Sequence, residues 1–327
     1  MPRIKIGQIG VGHAHASGKM GAYRKSADYE VVGIVEPDPQ LRRHAQSQSV
    51  YQGLTWMTQE QLLNVDGLQA VAVETQVRDL LNVAEVCVGQ RLHIHLDKPA
   101  GENLPQFKRI LDDAERKHVL VQMGYMYRYN PGFVLLRNFL ERGWLGDPFE
   151  VHCVMSKQVG ADSRRRLAEY RGGTMFELGC HVLDQVLACL GPPQKVHAFP
   201  RHSATADDDL ADNMLATLEY PRATATVRSS VNEVEGGARR HFCLCGSHGT
   251  VHIQPLDNPS ARVALSQPRG KYSKGYQDVR FPKYVRYVDD AVDMARIIRG
   301  EKDADFSYDH DYQVQKTLLL ASGLPVD

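Results

Sequence analysis

Six short runs rich in aliphatic and β-branched residues alternate with helical stretches over residues 1 to about 122, and this rhythm restricts the fold more than any other feature of the chain. The runs lie at 4–10 (IKIGQIG), 30–35 (EVVGIV), 51–56 (YQGLTW, the weakest), 70–75 (AVAVET), 92–97 (LHIHLD) and 119–124 (VLVQMG). Helical patterns occupy the intervals near 16–26, 39–48, 58–64, 77–90 and 104–117. Near-continuous apolar strands separated by helices are what a parallel sheet covered on both faces requires. Residues 1–124 therefore read as a doubly wound α/β domain.

After Gly124 the rhythm changes. Strand-like runs follow near 148–157, 195–200, 213–219, 223–232, 240–245, 249–254 and 261–266, with helices near 131–142, 174–190, 284–299 and 309–322. Strands that follow one another without helices between them pair mostly antiparallel, so residues 125–327 are expected to form an α+β domain on a mostly antiparallel open sheet. A chain of 327 residues is long enough for two such cores. The stretch 262–286 holds seven lysines and arginines against one aspartate, Asp278, and reads as a solvated loop or as a surface facing an anionic substrate.

Gly10 and Gly12 follow the first strand and precede a helix. In that context the first glycine permits a tight turn, the second lets a pyrophosphate approach the backbone, and the helix N-terminus supplies N–H groups for the phosphates. The second strand ends in Glu36, placed to accept hydrogen bonds from an adenosine ribose and to repel a 2′-phosphate, which favours NAD over NADP. Its distance from Gly10, 26 residues, exceeds the usual ~20, and Arg42 and Arg43 nearby weigh against the preference. His15 stands where G-x-G-x-x-G has its third glycine, with His13 two residues before it. Each either lines the rim of the pocket or is a tolerated surface histidine.

The fifth strand ends in Asp97-Lys98-Pro99, and in an open parallel sheet ligands gather beyond the carboxyl ends of the strands. A lysine delivered there can hold a substrate hydroxyl or carbonyl, and Pro99 admits a cis bond that would turn Lys98 inward. In GGTMFELGCHVLDQVLACLG, residues 172–191, a single α-helix would place Glu177, His181 and Asp184 on one stripe of an otherwise apolar surface. Such a stripe faces a cavity or another polar surface, since burying it unpaired costs several kcal/mol, and a histidine flanked by carboxylates is a plausible general base.

Lysine plus arginine (39) balances aspartate plus glutamate (39), which disfavours nucleic acid as a partner. No apolar run approaches the ~20 residues of a membrane span, and Met1-Pro2-Arg3 leads into a strand without an apolar signal core, so a cytoplasmic protein is expected. The six cysteines match neither a zinc ribbon nor a disulfide framework, and no metal is expected; Cys243 and Cys245 read as alternation within a strand.

The G-V-G turn, the D-K-P tripeptide, Y-R-Y-N-P at 127–131 and G-G-x-x-x-E-x-G-x-H-x-x-D at 172–184 together resemble the Gfo/Idh/MocA oxidoreductases, and the resemblance runs along essentially the whole chain. It implies an N-terminal Rossmann domain, a second domain whose open sheet makes a homo-oligomer (dimer or tetramer), and action on sugars, polyols or their derivatives. It also implies that Lys98 is catalytic, with Glu177 and His181 as the acid and histidine of the helix motif. Two departures stand out: E-K-P is D-K-P here, and the usual aspartate before G-x-H is Glu177. The coenzyme contacts expected are Gly10, Val11, Gly12, His13, Glu36 and Lys98, and Tyr125, Arg128, Asn130, Arg171 and Asp184 are candidates for the substrate. The expected chemistry is NAD-dependent hydride transfer at a carbinol carbon. Its rivals are NAD-dependent glycoside hydrolysis or elimination without net redox change, and a nucleotide-sensing protein without catalysis.

Overall fold

The computed structural model describes residues 2–326, which divide into two compact units. Among the described residues the first comprises 2–126 and 285–312, the second 127–284 and 313–326. Its elements are β1 (Ile4–Ile9), α1 (Ala16–Lys25), β2 (Tyr29–Val35), α2 (Pro39–Gln46), β3 (Trp56–Met57), α3 (Gln59–Leu63), β4 (Ala70–Val73), α4 (Leu80–Gly89), β5 (His93–Leu96), α5 (Leu104–Lys117) and β6 (Val121–Met123). The six strands are all parallel, in the order β3-β2-β1-β4-β5-β6. That is the doubly wound dinucleotide-binding order, whose reversal point lies between β1 and β4.

Local signals set the helix starts. Asp38 accepts from Gln40 N and Leu41 N ahead of α2, and Thr58 forms a capping box with Gln61 ahead of α3. No side-chain hydrogen bond caps α1, the helix that faces the expected phosphates. The third strand is shorter than its expected span of 51–56, because Ser49–Tyr51 forms a 3₁₀ turn and only Trp56 and Met57 pair with β2.

The second unit contains α6 (Pro131–Glu141), β7 (Pro148–Ser156), α7 (Ala161–Leu167), a π-helical segment (Met175–Gly179), α8 (Cys180–Leu190), β8 (Lys195–Arg201), β9 (Asn213–Glu219), β10 (Thr224–Ser230), α9 (Gly236–Arg239), β11 (His241–Gly246), β12 (Gly249–Ile253), β13 (Ser260–Leu265) and β14 (Gly275–Arg280). The strands form one sheet, β14-β13-β12-β11-β7-β10-β9-β8, antiparallel except for the β7·β10 pair. Alternate residues of β9 and β10 are buried, and α8 and the π segment pack on the inner face of this sheet. β14 occupies the stretch read as a solvated loop: its alternation of charged and polar residues makes an edge strand, with Arg262 on β13 paired to Asp278.

Two closing helices follow, α10 (Val288–Ile298) and α11 (Tyr308–Ala321). The division at 124 expected from sequence differs here, because α10 belongs with the first unit. Its Ala291, Met294 and Ala295 pack into a cluster with Ile4, Ile6, Tyr23 and Tyr29, and Tyr29 Oη donates to Ala291 O at 2.6 Å. Among the described residues no helix is long and apolar enough to cross a membrane.

Asp290, in the first turn of α10, is buried, and that burial lifts its carboxyl from the usual aspartate range to about 7. Between about pH 4 and pH 7 the folded form thus holds a proton that the unfolded chain releases, so its contribution to stability worsens as pH rises through that window and levels off above it. Asp290→Asn is expected to be more stable than the wild type by a few kcal/mol at pH 8. Thermal melting should show the gain shrinking on the way to pH 5.

Candidate functional site

The coenzyme side is built at the carboxyl ends of β1, β2 and β4. Gly10 has φ +91°, and a Cβ there would collide with the backbone of Glu74 and Thr75, so only glycine makes this turn. The Glu36 carboxylate closes the loop from the other side, accepting from Val11 N at 2.8 Å and Asp38 N at 2.9 Å. Beside it lies a cavity of about 190 Å³ lined by Ile9, Glu36, Pro37, Leu41, Thr75 and Val83. This slot, apolar at Ile9, Leu41 and Val83 and polar at Asp38, Gln76 and Arg78, with the Glu36 carboxylate at its edge and an uncapped helix start in the same unit, fits an adenosine and its phosphates. Arg42, which weighed against NAD, stacks on Trp56 with its guanidinium 5.3 Å from the ring.

Lys98 is buried at the end of β5, and its bond to Pro99 is cis. Its backbone N donates to Asp97 Oδ1 at 2.7 Å, and its carbonyl lies 2.9 Å from His13 Nε2. Asp97 is fully buried; its Oδ1 takes hydrogen bonds from Lys98 N and His15 Nδ1 (3.2 Å), and its Oδ2 has His13 Nδ1 (2.6 Å) and Lys19 Nζ (3.2 Å) at ion-pair distance. Lys19 also reaches Glu74 at 3.1 Å. Neither histidine is a surface residue: His13 is buried, and His15 packs its ring 4.8 Å from that of His13 and 5.5 Å from Tyr287.

Burial opposes ionisation of Asp97, but His13, Lys19 and His15 outweigh it and hold the carboxyl well below its usual range. Glu74 is pushed well above its range by burial and the neighbouring Asp97 charge, against the pull of Lys19. Burial brings His15 down to about 3 despite Asp97, so it is neutral at physiological pH. His13, His15 and Asp97 offer three metal-ligating atoms within 4.8 Å of one another. The Lys19 ammonium already stands beside this carboxylate as its cation. Sequence reasoning passed over Lys19, Glu74 and the anchoring role of Asp97; the available signal was an acid closing each of the apolar runs AVAVET and HIHLD.

In the second unit the expected single helix is broken. Residues 175–179 form a π turn before α8, and the polar stripe divides accordingly. Glu177 is partly exposed, with Lys157 Nζ 3.8 Å from its carboxylate. His181 is buried, its ring 5.7 Å from that of Tyr127. Asp184 faces Arg128 in a buried pair, Nη2 to Oδ1 at 2.6 Å and Nε to the two carboxylate oxygens at 3.1 and 3.2 Å. These two candidate substrate contacts therefore hold each other.

Asn130 is likewise structural. Its side chain caps α6, accepting from Gly132 N, and donates to Leu256 O. Tyr127 Oη donates to Asp257, which Arg240 holds from its other oxygen at 2.7 Å. The Y-R-Y-N-P motif is thus a brace for α8 and the loop around 256. Tyr125 is buried in the first unit and Arg171 is exposed in the turn before Gly172.

Residues 4–125 match the model of an oxidoreductase family with an NAD-binding Rossmann fold, and residues 133–252 match the GFO/IDH/MocA C-terminal domain. The chain belongs to the Gfo/Idh/MocA oxidoreductases. It is similar to the rhizopine catabolism protein MocA of Rhizobium meliloti, with 24% identity over 57% of each chain. It is also similar to the inositol 2-dehydrogenase of Salmonella paratyphi B, with 21% identity over 80% of this chain and 77% of the relative. Among solved structures, an Agrobacterium radiobacter oxidoreductase in complex with NAD⁺, L-tartaric acid and magnesium shares the fold at TM-score 0.83 and 16% identity, over 98% of this chain and 97% of that one. The first unit of this Gfo/Idh/MocA chain is its NAD-binding Rossmann domain.

Two outcomes follow for this family member. Removing the Glu36 carboxylate takes away ribose hydrogen bonds and the repulsion of a 2′-phosphate, so in Glu36→Ala the preference for NADH over NADPH in fluorescence titration should fall about tenfold or more, equivalent to ~1.4 kcal/mol. Asp184→Ala leaves a buried guanidinium without its partner and should cost about 3–5 kcal/mol in denaturant unfolding, the signature of a structural pair.

Proposed function

We propose that the chain is an NAD-dependent dehydrogenase or reductase that interconverts a hydroxyl and a keto carbon in a sugar, a polyol or a derivative of one. The observation that carries the proposal is Lys98: a buried lysine at the carboxyl end of β5, in the same unit as the Gly10 turn and with both backbone polar groups held. Bound NAD⁺ would supply a hydride acceptor. Gly10, Val11, Gly12 and Glu36 are the residues to hold it, with Thr75 and Leu41 lining the adenosine slot.

In this reading the Lys98 ammonium donates to the reacting oxygen and stabilises the negative charge that develops there. His181 takes the proton of the carbinol hydroxyl, and the Glu177 carboxylate favours the protonated imidazole that results. Arg171, exposed before Gly172, is the residue left to orient a ring hydroxyl. The polyol class is supported by the inositol dehydrogenase likeness, since that protein is named for its action on inositol. A homo-oligomer, dimer or tetramer, through the outer face of the eight-stranded sheet accords with large exposed side chains there, Phe199 on β8 and Tyr276 on β14.

The test is a panel of inositols, linear polyols and aldoses with NAD⁺, followed by absorbance of NADH. At least one member should produce NADH with the wild type, and Lys98→Ala should lose more than about tenfold in kcat, ~1.4 kcal/mol of barrier, with NADH affinity little changed. Retention of more than a tenth of kcat would remove Lys98 from the chemistry. Glycoside consumption at constant absorbance would favour hydrolysis or elimination with transient redox.

A further inference from the structure

Three contacts close a ring around one peptide unit. Asp97 Oδ1 accepts from Lys98 N at 2.7 Å, the Lys98 carbonyl lies 2.9 Å from His13 Nε2, and His13 Nδ1 lies 2.6 Å from Asp97 Oδ2. His13 Nε2 thus faces the Lys98 carbonyl, Nδ1 lies beside the Asp97 carboxylate and accepts from His15 N at 3.2 Å, and both backbone polar groups of Lys98 are taken. The ring is itself anchored: His13 N donates to Glu74 O at 3.1 Å, and Lys19 and His15 meet Asp97 from outside. Space for it is reserved at Gly124, where a Cβ would stand 2.7 Å from Lys19 Nζ and 2.8 Å from Asp97 Oδ1.

We propose that His13, in the phosphate-binding loop, is a positioning residue for Lys98, acting with Asp97 to fix the lysine's backbone so that its amine is presented in one orientation. The proposal rests on the reading of Lys98 given above. His13 belongs to the coenzyme loop and its ring lies against the lysine's own carbonyl. A group held in one geometry before reaction contributes to kcat without contributing to coenzyme affinity. Asp97, which stands where the family pattern has glutamate before Lys98-Pro99, is a member of this ring.

The experiment compares His13→Leu, His13→Gln, Asp97→Asn and the double variant His13→Leu/Asp97→Asn with the wild type and Lys98→Ala. It uses a polyol or aldose from the panel above that the wild type turns over, and reads the Lys98 amide separately by peptide-resolved hydrogen exchange. His13→Leu should lose at least about tenfold in kcat, with KM and the NADH dissociation constant within about threefold, and should exchange the Lys98 amide faster. His13→Gln, whose amide can donate to the same carbonyl, should recover a substantial part of the loss. The double variant should be no slower than Asp97→Asn alone, because residues that act as one unit are not additive. The proposal is overturned if folded His13→Leu keeps kcat within twofold, if kcat and NADH affinity fall together, or if the single losses multiply. Activity abolished by EDTA and restored by Zn²⁺ or Mg²⁺ would make the His13, His15 and Asp97 cluster a metal site instead. If Lys98→Ala remains active, the proposed chemistry fails and positioning for catalysis fails with it, while the exchange data report separately whether the ring holds the lysine's backbone.

Discussion

The first unit is organised around a carboxylate that water does not reach. An isolated charge in the position of Asp97 would cost several kcal/mol, and the usual remedy is to take up a proton. Here two hydrogen bonds, from Lys98 N of its own strand end and His15 of the loop, and two close nitrogens, from His13 of the loop and Lys19 of α1, favour the ionised form. Glu74 lies across Lys19 from it and is pushed the other way, by its burial and by the Asp97 charge. The phosphate-binding loop, the first helix and the lysine strand are fastened to one another through that single anion, and none can shift without uncovering it.

The second unit holds its candidate chemistry by different means. The π turn at Met175–Gly179 widens the backbone ahead of α8, and Gly179 leaves room for Met175, whose sulfur a Cβ would approach to 2.6 Å. Such turns recur at functional sites because they redirect side chains at the cost of regular hydrogen bonds. Here the turn separates a partly exposed Glu177 from a buried Asp184 that serves Arg128. The acids of one polar row in the sequence are therefore set in different surroundings, the outer one beside Lys157 and the inner one paired with Arg128.

How much of this was legible depends on the range of the interaction that decides it. The parallel strands were legible because strands buried on both faces must be apolar throughout, and the order of the motifs fixed the dinucleotide-binding turn at Gly10. The edge strand β14 was not, since an edge tolerates the charges of GYQDVR and so lacks an apolar signature. Nor was the membership of α10 in the first unit, because its contacts with Ile4, Ile6 and Tyr29 join residues more than 250 positions apart. Lys98 and Glu36 could be placed at strand ends, and His181 on the helix of its motif, from position in the sequence. The partners of Asp97, and the pairing of Arg128 with Asp184, were not, because whether a charged side chain is buried is decided by what the fold brings opposite it.

The same reasoning explains why the loop can carry histidines where the dinucleotide fingerprint has small residues. The third glycine ordinarily permits close helix-to-sheet packing, and a bulky replacement over an apolar strand end would push the helix away. At this strand end stands an acid one methylene shorter than the family's glutamate, and the histidine rings occupy the space beside it as donors as well as volume. Shortening at 97 and enlargement at 13 and 15 are opposite changes in one enclosed place, so each is tolerated because of the other. A glutamate at 97 with the histidines kept would overfill that place, and small residues at 13 and 15 with the aspartate kept would leave a buried anion short of donors. The lysine's backbone is bound into that arrangement on both sides.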